Sequence, residues 1–202
     1  MSFLSPDQLR WRYRAWRYRL KLEKHEIGLI RRHLKPGDTA IDIGAHKGAF
    51  TWWIRDAVGP SGRVVAFEPQ LALANKLSGL VLGKNLANVT VENLGLSSGP
   101  GTLVLHVPAG GPSPGASFES PVDSAAQGDE VLVTVTTIDT YVHTHKLDAI
   151  RLLKIDVEGH ELEVFRGASE VLSNAQPAIL FECELRHRRS GTLNDVFEFL
   201  HN

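Results

Sequence analysis

Cysteine is all but absent. The 202-residue chain has one, Cys183, so it can form no internal disulfide, and nothing marks it for an oxidising compartment. Charge of one sign is also missing. There are 22 Lys+Arg against 23 Asp+Glu, for a formal net charge of −1, which gives no overall pull toward DNA or a membrane. No apolar run approaches the ~18 residues that cross a bilayer. The Arg-studded start, Met1 to Arg19, has no apolar stretch of the kind a secretory signal needs. Apolar residues themselves are plentiful at 43%, with 22% charged, which excludes a disordered chain and indicates an ordinary globular one. The length suits one domain with a real core. The expected location is the cytoplasm.

The neutral total hides an uneven distribution. Residues 1–37 carry ten Lys/Arg and three acids. From Arg10 to Lys21, Arg10, Arg12, Arg14, Arg17 and Arg19 alternate with Trp11, Tyr13, Trp16 and Tyr18. Three readings compete. In a docked helix, Trp16, Leu20, Ile27 and Ile30 form the apolar stripe and the arginines point outward. As a contact for an anionic surface, Arg10–Lys21 suits phosphates, anionic lipid or RNA bases, and the chain would sit at the inner face of a membrane. The third reading is a solvated arm. The expected division is a basic, aromatic helical segment over 1–34 and one domain over 35–202.

From Lys35 the pattern alternates. Thr39 to Ile43 reads as a buried strand, and Ala49 to Val58 as a helix with Phe50, Trp53, Ile54 and Ala57 along one side. Arg63 to Phe67, Val89 to Val91, Leu103 to Val107, Val131 to Ile138, Ile150 to Ile155 and Pro177 to Phe181 read as strands. Helices are expected over Leu71–Leu82, Glu161–Phe165 and Leu193–Leu200, with Thr137 or Asp139 capping a turn and Gly167 as a stop. His106 to Glu130, rich in Gly, Pro and Ser, reads as a long loop. It is either a lid over an acceptor, with Phe118 as a contact, or a surface loop. Such alternation predicts an α/β fold: a mostly parallel sheet with helices on both faces. Ligands of such sheets sit beyond the carboxyl ends of the strands.

Two strand ends stand out. After the first comes Gly44-Ala45-His46-Lys47-Gly48, where Gly44 permits a sharp turn and close backbone approach, and Gly48 opens a helix whose free N–H groups favour electron-rich atoms. The loop has neither a Gly-x-Gly-x-x-Gly fingerprint nor the Gly-Lys-Ser/Thr ending of a P-loop, so no standard phosphate cradle is present. After the second strand comes Glu68, whose carboxylate suits the paired hydroxyls of a ribose. A glycine loop with a ribose acid, and no phosphate machinery, points to a nucleoside without phosphate. S-adenosylmethionine meets that description.

The third cluster follows the strand Ile150–Ile155. Asp156, Glu158 and Glu161 place three carboxylates around His160. Histidine's intrinsic range suits a general base, so His160 could serve; Asp156 or Glu158 could serve instead, orient the histidine or bind a hard cation. No metal is assigned. The bland alternative is a polar strand–helix junction. His143 and His145 read as surface residues, Cys183 as a core thiol, Glu182 and Glu184 as cleft or solvated strand-end acids, and Arg186, His187, Arg188 and Arg189 as a solvated patch.

The segments AIDIGAHKGAFT, VVAFEP, VTVENLGLSS, VTVTTIDTYV, LLKIDVEGHELEVFRGA and PAILFECE together resemble the FkbM-type methyltransferases, over roughly residues 35–185. The resemblance implies a Rossmann-like class I methyltransferase fold, S-adenosylmethionine as cofactor, and O-methylation of a hydroxyl on a sugar or natural product, so a small-molecule or glycan acceptor. It implies that Asp42, Gly44 and Gly48, with Ala45 and His46 between them, form the cofactor loop, that Glu68 is the ribose acid and Asn93 an adenine contact, and that Asp156, Glu158 and Glu161 are an acidic signature, with Asp156 beside the cofactor. The fold so implied would continue for two strands past the helix at Leu193, and a chain lacking them would expose a sheet edge that a second copy could cover. The rival expectations are a nicotinamide-dependent oxidoreductase, disfavoured by the missing third glycine, and a non-catalytic or methyltransferase-like domain whose basic start binds RNA or membrane.

Overall fold

The computed structural model describes residues 5–119, 128–182 and 193–201. Along the chain the elements are α1 (Pro6–Arg17), a π-helical turn (Tyr18–Leu22), α2 (Lys24–His33), β1 (Thr39–Ile43), α3 (Ala49–Val58), β2 (Arg63–Phe67), α4 (Leu71–Gly83), β3 (Val89–Glu92), β4 (Gly95–Leu96), β5 (Gly101–Pro108), β6 (Gly128–Thr136), α5 (Ile138–His145), β7 (Ile150–Ile155), α6 (Glu161–Arg166), α7 (Ser169–Ala175), β8 (Ala178–Phe181) and α8 (Leu193–His201). They separate into two compact units. The first takes the chain up to Asn93 with Ala149–Lys154 and Pro177–Leu180; the second takes Leu94–Asp148, Ile155–Gln176 and the residues from Phe181 onward.

The first unit is built on a sheet of order β3-β2-β1-β7-β8. β1 and β2 run parallel from Thr39 opposite Arg63 to Ile43 opposite Phe67, and β2 and β3 from Val64 opposite Val89 to Phe67 opposite Glu92. All five residues of β1 are buried, the mark of a strand covered on both faces. The crossover helices α3 and α4 bury Trp53, Ile54, Val58, Leu73 and Leu77. This is the expected α/β class.

The N-terminal segment is docked, and it belongs to the same unit as the sheet, so the expected boundary at residue 34 does not separate compact units. α1 begins with a capping box: Ser5 Oγ accepts from Gln8 N–H while Gln8 returns to Ser5 N–H, and Pro6 follows the cap. The stripe that docks is the expected one only in part: Ile27 and Ile30 belong to it, Trp16 and Leu20 do not. Trp11, Ala15, Ile27 and Ile30 are buried, whereas Trp16 is 39% and Leu20 63% exposed. The π-helical turn breaks the 3.6-residue periodicity between the two helices, so Ile27 and Ile30 continue the face of Trp11 and Ala15. Trp11 Nε1 donates to Gly48 O at 2.8 Å and Trp53 Nε1 to Ala15 O at 2.7 Å, so each buried indole satisfies its polar end.

In the second unit a separate sheet has order β4-β6-β5. β5 and β6 pair antiparallel from Gly101 opposite Val135 to Pro108 opposite Gly128. Both ends of the expected His106–Glu130 loop are therefore strand; cross-strand pairing prevails over their weak periodicity. The strand ends at Thr136, and Thr137 accepts from Thr140 N–H to cap α5, which takes in Ile138. Asp139 accepts from the N–H groups of Glu170 and Val171 at the start of α7. Gly167 does end α6, but with φ −78; a side chain there would meet the Ser97 carbonyl at 2.1 Å, so close approach, not left-handed backbone, is what requires glycine.

Trp11→Ala is expected to cost about 3–5 kcal/mol in urea unfolding, and Trp16→Ala distinctly less. Equal losses would contradict this docking.

Candidate functional site

The glycine loop leaves β1 through a hinge on β2. Gly44 and Ala45 both donate to Phe67 O, at 3.0 and 2.9 Å. Gly44, His46 and Gly48 have φ of 74, 50 and 74, a left-handed sequence that glycine makes inexpensive. Gly48 points inward: a Cβ there would lie 2.4 Å from Leu77 Cδ1 and 3.1 Å from Trp11 Nε1. Ala45 is also in the core, and Asp42 is fully buried. Of the expected cofactor-loop residues, Asp42, Ala45 and Gly48 therefore shape the loop from inside, while Gly44 and His46 lie half-buried on its course.

Asp42 is held by two residues that sequence reasoning missed. Thr51 Oγ1 donates to Asp42 Oδ2 at 2.6 Å, and Lys154 Nζ lies 3.7 Å from Asp42 Oδ1. The Lys154 ammonium also donates to Gly44 O at 3.4 Å and sits over the Phe50 ring. A signal was available: one lysine inside the apolar run Leu152-Leu153-Lys154-Ile155 needs a buried counter-charge.

Glu68 closes the arrangement. His46 N–H donates to its Oε2 at 2.7 Å and Gln70 N–H to its Oε1 at 2.9 Å. The loop after β1 is thus fastened to the acid after β2. Burial pushes the Glu68 carboxyl above its usual range; the Gln70 and His46 N–H groups and then the Lys154 ammonium pull it down without cancelling that. Asn93 is exposed, but its amide N–H groups are spent on Glu68 O and Pro69 O, at 3.0 and 2.9 Å. That leaves only its oxygen for an adenine.

The acidic cluster falls in the second unit. Glu158 has φ 53 and Gly159 φ 103; the Glu158 carbonyl accepts from Ser117 Oγ at 2.6 Å. Glu161 is buried, its Oε1 accepting from Gly159 N–H, so it braces the turn. Asp156 is half-buried. His160 is buried with both ring nitrogens engaged: Nε2 lies 2.9 Å from Ser97 Oγ and Nδ1 2.9 Å from Glu119 Oε1. An acceptor hydroxyl at Nε2 would therefore have to replace Ser97 Oγ. Phe118, the expected acceptor contact, packs 5.3 Å from the His160 ring. A carboxylate only accepts, so Nδ1 carries the proton toward Glu119 and Nε2 receives the Ser97 O–H. Ser97 lies in the quoted run VTVENLGLSS; Glu119 had no local signal.

His143 and His145 are exposed on α5, with His145 stacked on Tyr141. Glu182 is exposed at the strand end. Cys183, Glu184, Arg186, His187, Arg188 and Arg189 lie outside the described residues, as does 120–127 of the expected lid.

A family model for the methyltransferase FkbM domain matches residues 42–202. The chain belongs to the FkbM methyltransferase family. It is 31% identical over 159 residues to methyltransferase sdnD of Sordaria araneosa, covering 64% of this chain and 60% of that one. It is 30% identical over 175 residues to the hexuronic acid methyltransferase AglP of Haloferax volcanii, covering 82% of this chain and 64% of that one. The chain thus spans less than two thirds of the length of either relative. The crystal structure of an FkbM methyltransferase from Methylobacillus flagellatus aligns with a TM-score of 0.55 at 17% identity, over 98% of this chain and 49% of that one, a likeness of fold.

Because the folded-state pKa of Glu68 is raised, its contribution favours the native state below the unfolded value and is lost as pH rises through the folded one. The stability of Glu68→Gln relative to the parent is therefore expected to rise with pH from about 4 toward 7. A flat or falling difference in melting temperature would refute the raised pKa.

Proposed function

We propose that this chain is an S-adenosylmethionine-dependent O-methyltransferase acting on a hydroxyl of a sugar or natural-product acceptor. The observation that carries the reading is the Glu68 carboxylate tied by His46 N–H to the glycine loop at the neighbouring strand end, in a chain of this family. The donor set suits an adenosyl group. Each Glu68 oxygen accepts one backbone N–H, the Gln70 side chain also bonds the carboxylate, and lone-pair capacity remains for a ribose hydroxyl. The loop turns at Gly44 with φ 74 and carries no phosphate-binding Lys-Ser/Thr pair. When bound, the cofactor supplies an electrophilic methyl group.

The chain's own residues would do the rest. Glu68 receives the ribose hydroxyls, and Gly44 lets the backbone approach without a side chain between. The acceptor hydroxyl must lose a proton as it attacks. Asp156, Glu158 and His160 are the proposed groups for that proton. Glu119 keeps the His160 proton on Nδ1, so Nε2 is the basic atom. An acceptor hydroxyl would take the place of Ser97 Oγ at Nε2, or give its proton to Asp156 or Glu158. AglP is named for a hexuronic acid, which favours a sugar acceptor here.

In calorimetry with S-adenosylhomocysteine the parent is expected to bind, and Glu68→Ala to weaken binding about tenfold or more. Equal affinity would remove the ribose assignment, and no binding by the folded parent would remove the cofactor. Asp156→Asn is expected to keep cofactor affinity and lose about 10²–10⁴-fold in turnover on a hydroxylated sugar acid. Full turnover would end its catalytic role.

A further inference from the structure

The docked N-terminal helices leave a second, outward apolar face. In α1, Leu9, Tyr13 and Trp16 follow one another at i, i+4 and i+7, the spacing of a single helical face. They are 52%, 72% and 39% exposed. Leu20 and Leu22 in the π-helical turn and Leu29 in α2 are exposed as well. The opposite side of α1 is consumed by the docking of Trp11 and Ala15, so this face is not core waiting to pack on the sheet.

Cations border it on both sides. At 100° per residue, Arg10 and Arg17 fall on one flank of the Leu9–Tyr13–Trp16 face and Arg12 on the other. Beyond them lies an open groove of about 620 Å³ whose lining includes Arg19, Leu20, Lys24, His25, Arg31 and Arg32 and no carboxylate. Arg19 lies over the rings of both Trp16 and Trp53, at 5.1 and 4.8 Å, and Arg31 over Trp53 at 5.6 Å. Two guanidinium groups are thus held over one indole with little freedom left to lose. Arg31 has Asp56 as a half-exposed partner at 3.8 Å, and such an exposed pair is weak. An anion entering the groove would relieve like-charge repulsion at small entropic cost.

We infer that α1, the π-helical turn and α2 form a docking surface for an anionic lipid bilayer: Leu9, Tyr13, Trp16 and Leu20 enter the headgroup–acyl boundary, and the basic groove takes a lipid phosphate. The pattern is that of an interfacial helix, apolar on one face with Arg and Lys along its borders. Exposed leucines set it apart from a nucleic-acid surface, where stacking calls for aromatic rings. No described helix is long and apolar enough to cross a membrane.

The test is co-sedimentation of the whole chain with vesicles of phosphatidylcholine alone, or with about one third phosphatidylglycerol, in about 0.1 M NaCl. Binding is expected only to the anionic vesicles, falling about tenfold or more at about 0.5 M NaCl. Leu9→Glu with Leu20→Glu, and separately Arg10→Glu with Arg17→Glu, are each expected to weaken it about tenfold or more while the melting temperature stays near the parent's. All four side chains are exposed, so folding is preserved. No binding by the parent, or unchanged binding by the leucine pair, overturns the proposal. Preference for poly(U) over vesicles would make the face an RNA surface. A concentration-dependent dimer lost with the leucine pair, without vesicle binding, would make it a contact between copies. Either result also overturns it.

Discussion

An ammonium and a carboxylate share the interior of the first unit's sheet, and the geometry around them follows from neither tolerating burial alone. Asp42 is fully buried and Lys154 nearly so, 3.7 Å apart. Charges so placed must be paired and hydrogen-bonded. Thr51 meets the second Asp42 oxygen, and Lys154 reaches the Gly44 carbonyl. Satisfying the ammonium therefore sets where the chain turns out of β1. The same ammonium draws down the Glu68 carboxyl, so two carboxylates on adjacent strands answer to one cation. The Lys154–Gly44 contact thus adds to the bonds from Gly44, Ala45 and His46 to Phe67 and Glu68 that hold the loop, and the glycines make its turn possible.

That hierarchy explains what could be read in advance. β1, α3 and β2 were legible because short continuous apolar runs differ from the spacing of an amphipathic helix, with Gly44 and Gly48 as punctuation. Glu68 was legible from position alone: an acid directly after a buried strand. Lys154 stood out only as a lysine inside an apolar run; its partner lies more than a hundred residues earlier, and no local pattern could name it. The docking stripe was misassigned in part, for a different reason. A helical wheel through Arg10–Lys21 assumes unbroken 3.6-residue turns, and the π-helical turn at Tyr18–Leu22 rotates everything after it. His106 and Glu130 looked like loop because strand pairing at the ends of a hairpin needs no apolar alternation.

In the second unit the difficulty was different. The cluster after β7 was conspicuous for its charges, yet charge alone did not reveal function. Glu161 turns back to brace Gly159, and Glu158 sits in a left-handed turn whose carbonyl holds Ser117. The environment of His160 is made by Ser97 and Glu119, 63 and 41 residues away. A glutamate on one ring nitrogen and a hydroxyl on the other fix a tautomer, which is a statement about proton inventory rather than sequence motif. Gly95 and Gly167 belong to the same construction: a side chain at either would strike Phe118 or the Ser97 carbonyl, so small residues keep the histidine's neighbours in place.

The two faces of α1 show why average composition misleads about surfaces. A net charge of −1 argues against attraction to any anion, but the first 37 residues hold ten of the 22 Lys+Arg and only three of the 23 Asp+Glu. Screening confines each charge to about a Debye length, ~10 Å at 0.1 M salt. A lipid phosphate at the groove would feel Arg19, Lys24, Arg31 and Arg32, not the chain's total. Aromatic residues carry the same double duty. Trp11 and Trp53 spend their N–H groups inside, and Trp53 also presents its ring to Arg19 and Arg31. The packing that seats the helix on the sheet is thus the packing that orients its cations outward, and neither could be altered without disturbing the other.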